Sequence, residues 1–174
     1  MIVGFSGLAG SGKSKVATPA LEALGFTRVG FADPLRRMLL ALGLTEAEMA
    51  DKERPCEKLC GKTPRQALQA LGTEWGRERI GDDFWVRLWA RAASRHPDVV
   101  VDDVRFANEA AAIRAAGGLI IRIERTGAGS ASGGGHVSEH GGIPADVTLQ
   151  NDGSPADLSA SVVATITARR SPAP

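Results

Sequence analysis

The sequence predicts an α/β fold, a five-stranded parallel sheet with helices on both faces, and three observations predict it. A short apolar strand, Met1-Ile2-Val3-Gly4-Phe5, runs straight into a glycine-rich loop; strand-like runs then alternate with helical stretches; and a buried run, Val99-Val100-Val101, ends in the carboxylates Asp102 and Asp103. With 174 residues, 43% of them apolar, the chain suits one domain with a full core, residues 1–174.

The five strands are placed at Ile2 to Ser6, Thr27 to Phe31, Val99 to Asp102, Leu119 to Glu124 and Val147 to Gln150. The first helix covers Lys15 to Leu24 and stops at Gly25, with Pro19 expected to kink its first turns. Asp33-Pro34 opens a second helix along Leu35, Met38, Leu39 and Leu42, ending at Gly43. Thr45 with Glu48, and Thr63 with Gln66, form capping boxes, and Pro64 takes the first helical position of the second. That helix continues along Ala67, Leu68 and Leu71. Asp82 or Asp83 caps the next, in which Trp85, Leu88, Trp89 and Ala92 make a buried stripe and Arg87, Arg91 and Arg95 a solvated face. Trp89 reads as core, whereas Trp85 is left between core and base stacking. Ser154-Pro155-Ala156-Asp157 caps a C-terminal helix.

The loop Gly7-Leu8-Ala9-Gly10-Ser11-Gly12-Lys13-Ser14 fits G-x-x-x-x-G-K-[ST], the pattern of a phosphate-binding loop between a strand and a helix. Glycines let successive N–H groups turn toward phosphate oxygens, and the helix that follows presents its positive end. A nucleoside triphosphate is therefore the expected ligand, held by Gly10, Ser11, Gly12, Lys13, Ser14 and Lys15. Lys13 meets the β- and γ-phosphates, and Ser14 offers its hydroxyl to Mg2+. The second element such a site needs is a carboxylate at a strand end, which acts on the metal through its water shell. Asp102 is the first candidate by position and Asp103 the second, each also able to serve only as a helix cap.

Bulk properties narrow the partners. The formal net charge is +1, so no global field selects a nucleic-acid polymer or a membrane surface, and the lack of tyrosine counts further against base stacking along a strand. No apolar run approaches transmembrane length and the N-terminus enters a strand directly, which leads to the expectation of a soluble cytoplasmic protein. Cys56 and Cys60, with His136 and His140, could be drawn as a four-ligand zinc site. The pairs stand 76 residues apart, and reduced thiols with unrelated histidines are the plainer reading. Oligomeric state has no signature, a homodimer being one option. Residues 125–145 are too rich in glycine and serine to pack a core and are expected to form a lid.

Small size and the absence of an N-K-x-D base-reading motif favour a small-molecule kinase over a switch protein or a motor. Such an enzyme needs cations on both phosphate groups, and arginine binds phosphate bidentately without losing its proton. Arg36, Arg65, Arg105, Arg122 and Arg125 lie near expected strand ends or the lid edges.

Several segments then resemble the phage-type deoxynucleoside monophosphate kinases: Leu71-Gly72-Thr73-Glu74-Trp75; Asp83-Phe84-Trp85-Val86; Asp103-Val104-Arg105 with Asn108-Glu109; His136-Val137-Ser138-Glu139 before Gly142-Ile143-Pro144; and Val147 to Ser154 followed by Leu158. The resemblance runs from the loop to about Leu158. It implies an adenylate-kinase-like P-loop fold of three α/β/α layers, with a helical acceptor-binding region at about residues 33–95. It also implies transfer of the ATP γ-phosphate to a deoxynucleoside 5′-monophosphate, with Lys13, Arg105 and Arg125 as the catalytic cations. Arg36 and Arg65 would hold the acceptor phosphate, Arg105 would clamp charge between acceptor and donor, and Arg125 would close from the lid. Asn151 and Gly153 would lie beside the adenine, through backbone contacts more than side-chain readout. Gln69, Thr73, Trp85, His136 and Glu139 complete the implied acceptor set; Asp33 departs from the family pattern, and either binds a sugar hydroxyl or caps the helix at Pro34. Rival readings are a P-loop kinase of another small acceptor, such as dephospho-coenzyme A or shikimate, and a non-catalytic ATP-binding regulatory module.

Overall fold

The computed structural model describes residues 1–128 and 142–170. Two compact units emerge: the first comprises residues 1–30 and 92–174, the second residues 31–91.

The first unit is built on a five-stranded sheet of β1 (Ile2–Ser6), β2 (Thr27–Arg28), β3 (Val99–Val101), β4 (Leu119–Glu124) and β5 (Val147–Gln150), in the order β2-β3-β1-β4-β5. Every pairing is parallel. The alternation of side chains along each strand divides the core between two faces. Val3 and Phe5 of β1, with Ile121 and Ile123 of β4, pack on α1 (Thr18–Glu22) and α7 (Pro155–Arg170) through Leu21, Leu158, Val162 and Ile166. Gly4 faces the other way, toward Ile113 of α6 (Ala107–Ala115), Ile120 and Val104. This is the three-layer α/β/α arrangement that the alternating runs predict. Because β1 is flanked by β3 and β4, the chain crosses over at its carboxyl end, which is where open parallel sheets bind ligands.

β2 is shorter than the expected Thr27 to Phe31. Val29 N–H still donates to Val100 O at 3.0 Å, but Phe31 belongs to the second unit, where its ring lies 4.7 Å from that of Trp89. β3 likewise ends at Val101, leaving Asp102 just beyond it. The effect of Pro19 is local: before α1 the chain makes a π-helical turn, Lys13–Ala17, in which Ala17 N–H reaches back five residues to Gly12 O and Thr18 N–H to Lys13 O. Pro19, without an N–H, sits in the opening turn of α1 and has no bond to contribute there. Ser154 Oγ accepts from Asp157 N–H while the Asp157 carboxylate accepts from Ser154 N–H, so the expected cap of α7 is present.

The second unit is helical: α2 (Asp33–Ala41), α3 (Glu46–Ala50), a 3-10 turn (Glu57–Leu59), α4 (Pro64–Gln69), a π-helical stretch (Ala70–Ile80) and α5 (Phe84–Ala93), whose last two residues count with the first unit. Both capping boxes form as expected. Leu39, Leu44, Met49 and Cys56 make its core, with Leu68 and Leu71 packed against them. Two features depart from the helical pattern. Beyond Gln69 the helix widens, because the indole of Trp85 donates to Gly72 O at 2.8 Å and packs so closely on Gly76 that a Cβ there would lie 2.3 Å from its nitrogen. Leu88, placed in the buried stripe by spacing, is 38% exposed; the buried row is Trp85, Trp89 and Ala93 at strict i, i+4, i+8 intervals. Among the described residues no helix is long and apolar enough to cross a membrane.

Gly118 lies where α6 turns into β4, and a Cβ there would stand 2.7 Å from Ile2 O and 2.9 Å from Ile113 O, both backbone atoms that cannot step aside. Gly118→Ala should therefore lower stability by roughly 1–3 kcal/mol. Urea unfolding measures this, and an unchanged midpoint would contradict the packing described.

Candidate functional site

The loop after β1 is shaped by what lies beneath it. Gly7 has φ +131°, and a Cβ at that position would stand 2.2 Å from Ile123 O of β4. Gly12 has φ +106°, and a Cβ there would meet Asn151 Nδ2 at 2.6 Å and Leu158 Cδ2 at 3.0 Å. Both positions need glycine for conformation and for space. Between them Ser11 is buried, its N–H donating to Leu8 O at 3.2 Å.

Lys13 folds over this loop. Its ammonium donates to Gly7 O at 2.7 Å, to Leu8 O at 2.8 Å and to Ser11 Oγ at 3.3 Å. Burial disfavours its charge, the nearby Arg105 guanidinium adds to this, and Asp102 opposes it; the net effect brings the pKa from 10.5 down to about 8. Lys13, Arg105 and Asp102 thus share one electrostatic neighbourhood, as a site for polyanionic phosphates requires. Ser14 and Lys15 are exposed on the π-helical turn.

Asp102 is 7% exposed, and its Oδ1 accepts from Arg28 Nε at 2.9 Å and pairs with the Arg28 terminal nitrogen at 2.9 Å. Asp103 beside it is half-buried. Arg105 is exposed, but its backbone is fixed: Glu109, 3% exposed, accepts from Arg105 N–H at 2.7 Å and from Phe106 N–H at 3.1 Å. A cavity of about 460 Å³ opens against the loop, lined by Gly7, Leu8, Ser11, Arg122, Arg125 and Gln150 among others, so Arg125 stands beside the same loop.

Asn151 and Gly153 follow β5. The structure puts the Asn151 side chain under the loop, where its amide donates to Ser11 O at 2.8 Å, while its N–H donates to Glu124 O at 2.7 Å. The backbone N–H and one N–H of the side-chain amide are thereby committed within the fold. Gly153 is exposed, and a Cβ there would stand 2.8 Å from the Asp157 carboxylate that caps α7.

The remaining candidates lie on the second unit. Arg36 is half-buried on α2 and Arg65 and Gln69 are half-buried on α4, which packs against α2; Thr73 lies on the π-helical stretch. Arg65 is ion-paired with Glu53, itself 66% exposed. Asp33 begins α2 rather than capping it: Ala32 holds the cap position, with no side-chain capping bond. Trp85, 3% exposed, with its N–H on Gly72 O, has its ring in the core and offers no open face for a base. Cys56 is buried and donates to Glu48 at 3.6 Å, Cys60 is exposed, and among the described residues no group of three or more histidine, cysteine or acidic side chains has metal-binding spacing. His136, Glu139 and His140 lie outside the described residues, as does most of the expected lid.

Arg28 was not picked out by sequence reasoning, and Glu109 was marked only as part of a resembling segment, with no role given to it. Arg28 is a cation on an edge strand, with nothing local to mark its partner 74 positions away. Glu109 carried a signal, since it stands three residues after Phe106 at the start of a helix, where a carboxylate folds back onto free N–H groups.

Comparison with known proteins bears on this arrangement. A family model described as deoxynucleotide monophosphate kinase matches residues 61–162. A protein of Acanthamoeba polyphaga mimivirus, described as "Putative deoxynucleotide monophosphate kinase", is 36% identical over 148 residues, covering 75% of this chain and 77% of its own. Among solved structures, TT1252 from Thermus thermophilus is similar at a TM-score of 0.54 and 19% identity, covering 98% of both chains, a likeness of fold alone. A mutant of the APS kinase CysC of Mycobacterium tuberculosis has a TM-score of 0.46 at 21% identity, covering 95% of this chain and 96% of its own. More than half of the sequence fits the family model and the viral relative is well above 30% identical, so the chain belongs to the deoxynucleotide monophosphate kinase family.

Proposed function

We propose that the protein transfers the γ-phosphoryl group of ATP to a deoxynucleoside 5′-monophosphate, giving the diphosphate and ADP. The observation that carries this reading is the loop after β1 with Lys13 drawn over it and Arg105 and Asp102 close by, in a chain of this family. Phosphoryl transfer asks a protein mainly for positioning and for positive charge where negative charge moves. Lys13, Arg105 and Arg125 supply that charge on the first unit. Arg36 and Arg65 are assigned to the acceptor phosphate on the second. For Arg65 this means exchanging Glu53, an exposed partner of little energetic weight, for a phosphate that accepts two bonds from the guanidinium.

The attacking phosphate oxygen is ionised at neutral pH, so no strong general base is needed. Mg2+ suits the oxygen donors present: the Ser14 hydroxyl directly, and Asp102 or Asp103 through water. Asp102 is favoured, because Arg28 already holds one of its oxygens and fixes the carboxylate at the strand end. The ion would neutralise phosphate charge. Asp33 is assigned to the sugar, with Gln69 and Thr73 on the same unit.

The test is ADP formation from MgATP with deoxynucleoside monophosphates, ribonucleoside monophosphates, dephospho-coenzyme A and shikimate as acceptors. Stimulation by one or more deoxynucleotides is expected. Stimulation only by a non-nucleotide would overturn the acceptor, and ATP binding without stimulation by any acceptor would favour a regulatory module. Lys13→Ala should abolish turnover. Arg105→Ala should lower kcat roughly 100-fold or more with little change in acceptor KM, as expected for a group on developing charge; a rise in KM alone would make it a ground-state clamp.

The lowered Lys13 pKa gives a further expectation. Above about pH 8 the free protein holds this amine largely neutral, whereas phosphates favour the ammonium, so binding must take up a proton. Affinity for MgATP should fall as pH rises through that value. Calorimetry at about pH 9 in buffers of different ionisation enthalpy should show uptake of close to one proton per nucleotide, lost in Lys13→Met. No uptake in the wild type would contradict the burial assigned to Lys13.

A further inference from the structure

The surroundings of Asn151 connect it to the phosphate-binding loop. It follows β5 directly, and its N–H on Glu124 O extends the β4–β5 ladder by one residue, which fixes the backbone from which the side chain projects. The side chain is 7% exposed and reaches across 140 positions of sequence to donate to Ser11 O at 2.8 Å. Beneath Gly12 the amide nitrogen and the Leu158 methyl lie 2.6 Å and 3.0 Å from where a Cβ would be. The Ser11–Gly12 peptide therefore rests on a floor with one polar and one apolar half.

The consequence follows from peptide geometry. The described residues contain no cis bond, and in a trans peptide the N–H points opposite to the C=O. Holding the Ser11 carbonyl inward on Asn151 turns the Gly12 N–H outward, to the side of the loop away from the core. A free peptide at a glycine can rotate at small cost; this one is held by a buried hydrogen bond that costs about 1–3 kcal/mol to leave unmade. We propose that Asn151 is a positioning residue for the triphosphate, its amide setting the Ser11–Gly12 peptide so that the Gly12 N–H is presented to a phosphate oxygen. The inference rests on the reading of the loop as a triphosphate site and deepens it. Asparagine suits the task by reach and by polarity. Glutamine is a methylene too long for the gap under Gly12, and aspartate would set an acceptor against the Ser11 carbonyl.

The test compares MgATP binding by calorimetry in the wild type, Asn151→Asp and Val162→Ala. The aspartate keeps the shape and removes the donor, and its Kd for MgATP should rise roughly 10- to 100-fold, with acceptor KM unchanged. Val162, fully buried in α7 and not among the residues that stand against Gly7 or Gly12, serves as the stability control: its variant should melt at a lower temperature and bind MgATP normally. An unchanged Kd in Asn151→Asp, or an equal loss in both variants, would overturn the proposal. A measurement on the wild type stands apart from any folding defect. The Asn151 side-chain NH2 should exchange slowly with water in NMR spectra, and the Gly12 amide should shift on adding MgATP; rapid exchange of that NH2 would also overturn the proposal. A wild type that binds no MgATP would overturn both this inference and the triphosphate reading, whereas normal wild-type binding with an indifferent Asn151→Asp would overturn only the role of Asn151.

Discussion

The inner side of the loop after β1 has no room, and the rest of the first unit is arranged around that fact. Ile123 O stands under Gly7, and Asn151 and Leu158 stand under Gly12, so the backbone between them can turn its polar groups only where the fold permits. Those supports come from β4, from the residue after β5 and from α7, segments far apart in sequence that only the parallel sheet brings beneath one loop. The sheet order is thus more than scaffolding. By placing β1 between β3 and β4 it brings the Ile123 carbonyl to one side of the loop and Asp102 to the other.

Electrostatics add a second constraint. Lys13 lies over carbonyl oxygens of its own loop, partly stripped of water and near a second cation, Arg105. Such a cluster is unfavourable on its own, which is why the ammonium is weakened, and it becomes favourable when polyanionic phosphate enters. Asp102 moderates the repulsion while being held by Arg28. Glu109 fixes the backbone from which Arg105 extends. The Arg105 charge is therefore carried on backbone anchored by a buried carboxylate, which would limit how much ordering must occur there when a nucleotide binds.

Much of this was legible in the sequence, for physical reasons. Buried parallel strands read as continuous apolar runs, and the phosphate-binding loop, the capping boxes at Thr45 and Thr63 and the cap at Ser154 are local patterns whose partners lie a few residues away. What was not legible depends on distant partners. The widening of the helix after Gln69 needs the Trp85 indole on Gly72, Leu88 is exposed because the buried row follows Trp85 to Ala93, and Trp85 could not be assigned to the core until its ring was seen against Gly76. The hold of the Asn151 amide on Ser11 O is likewise a contact across 140 positions that no local pattern announces.

The central claim, that the loop holds a donor whose terminal phosphoryl group passes to a deoxynucleotide, is tested most directly by following the group itself. Incubating the protein with ATP labelled in the γ-phosphate and a deoxynucleoside monophosphate, then separating the products, should recover the label at the β-position of the deoxynucleoside diphosphate. Label recovered only as inorganic phosphate, or left on ATP with every deoxynucleotide supplied, would contradict the account.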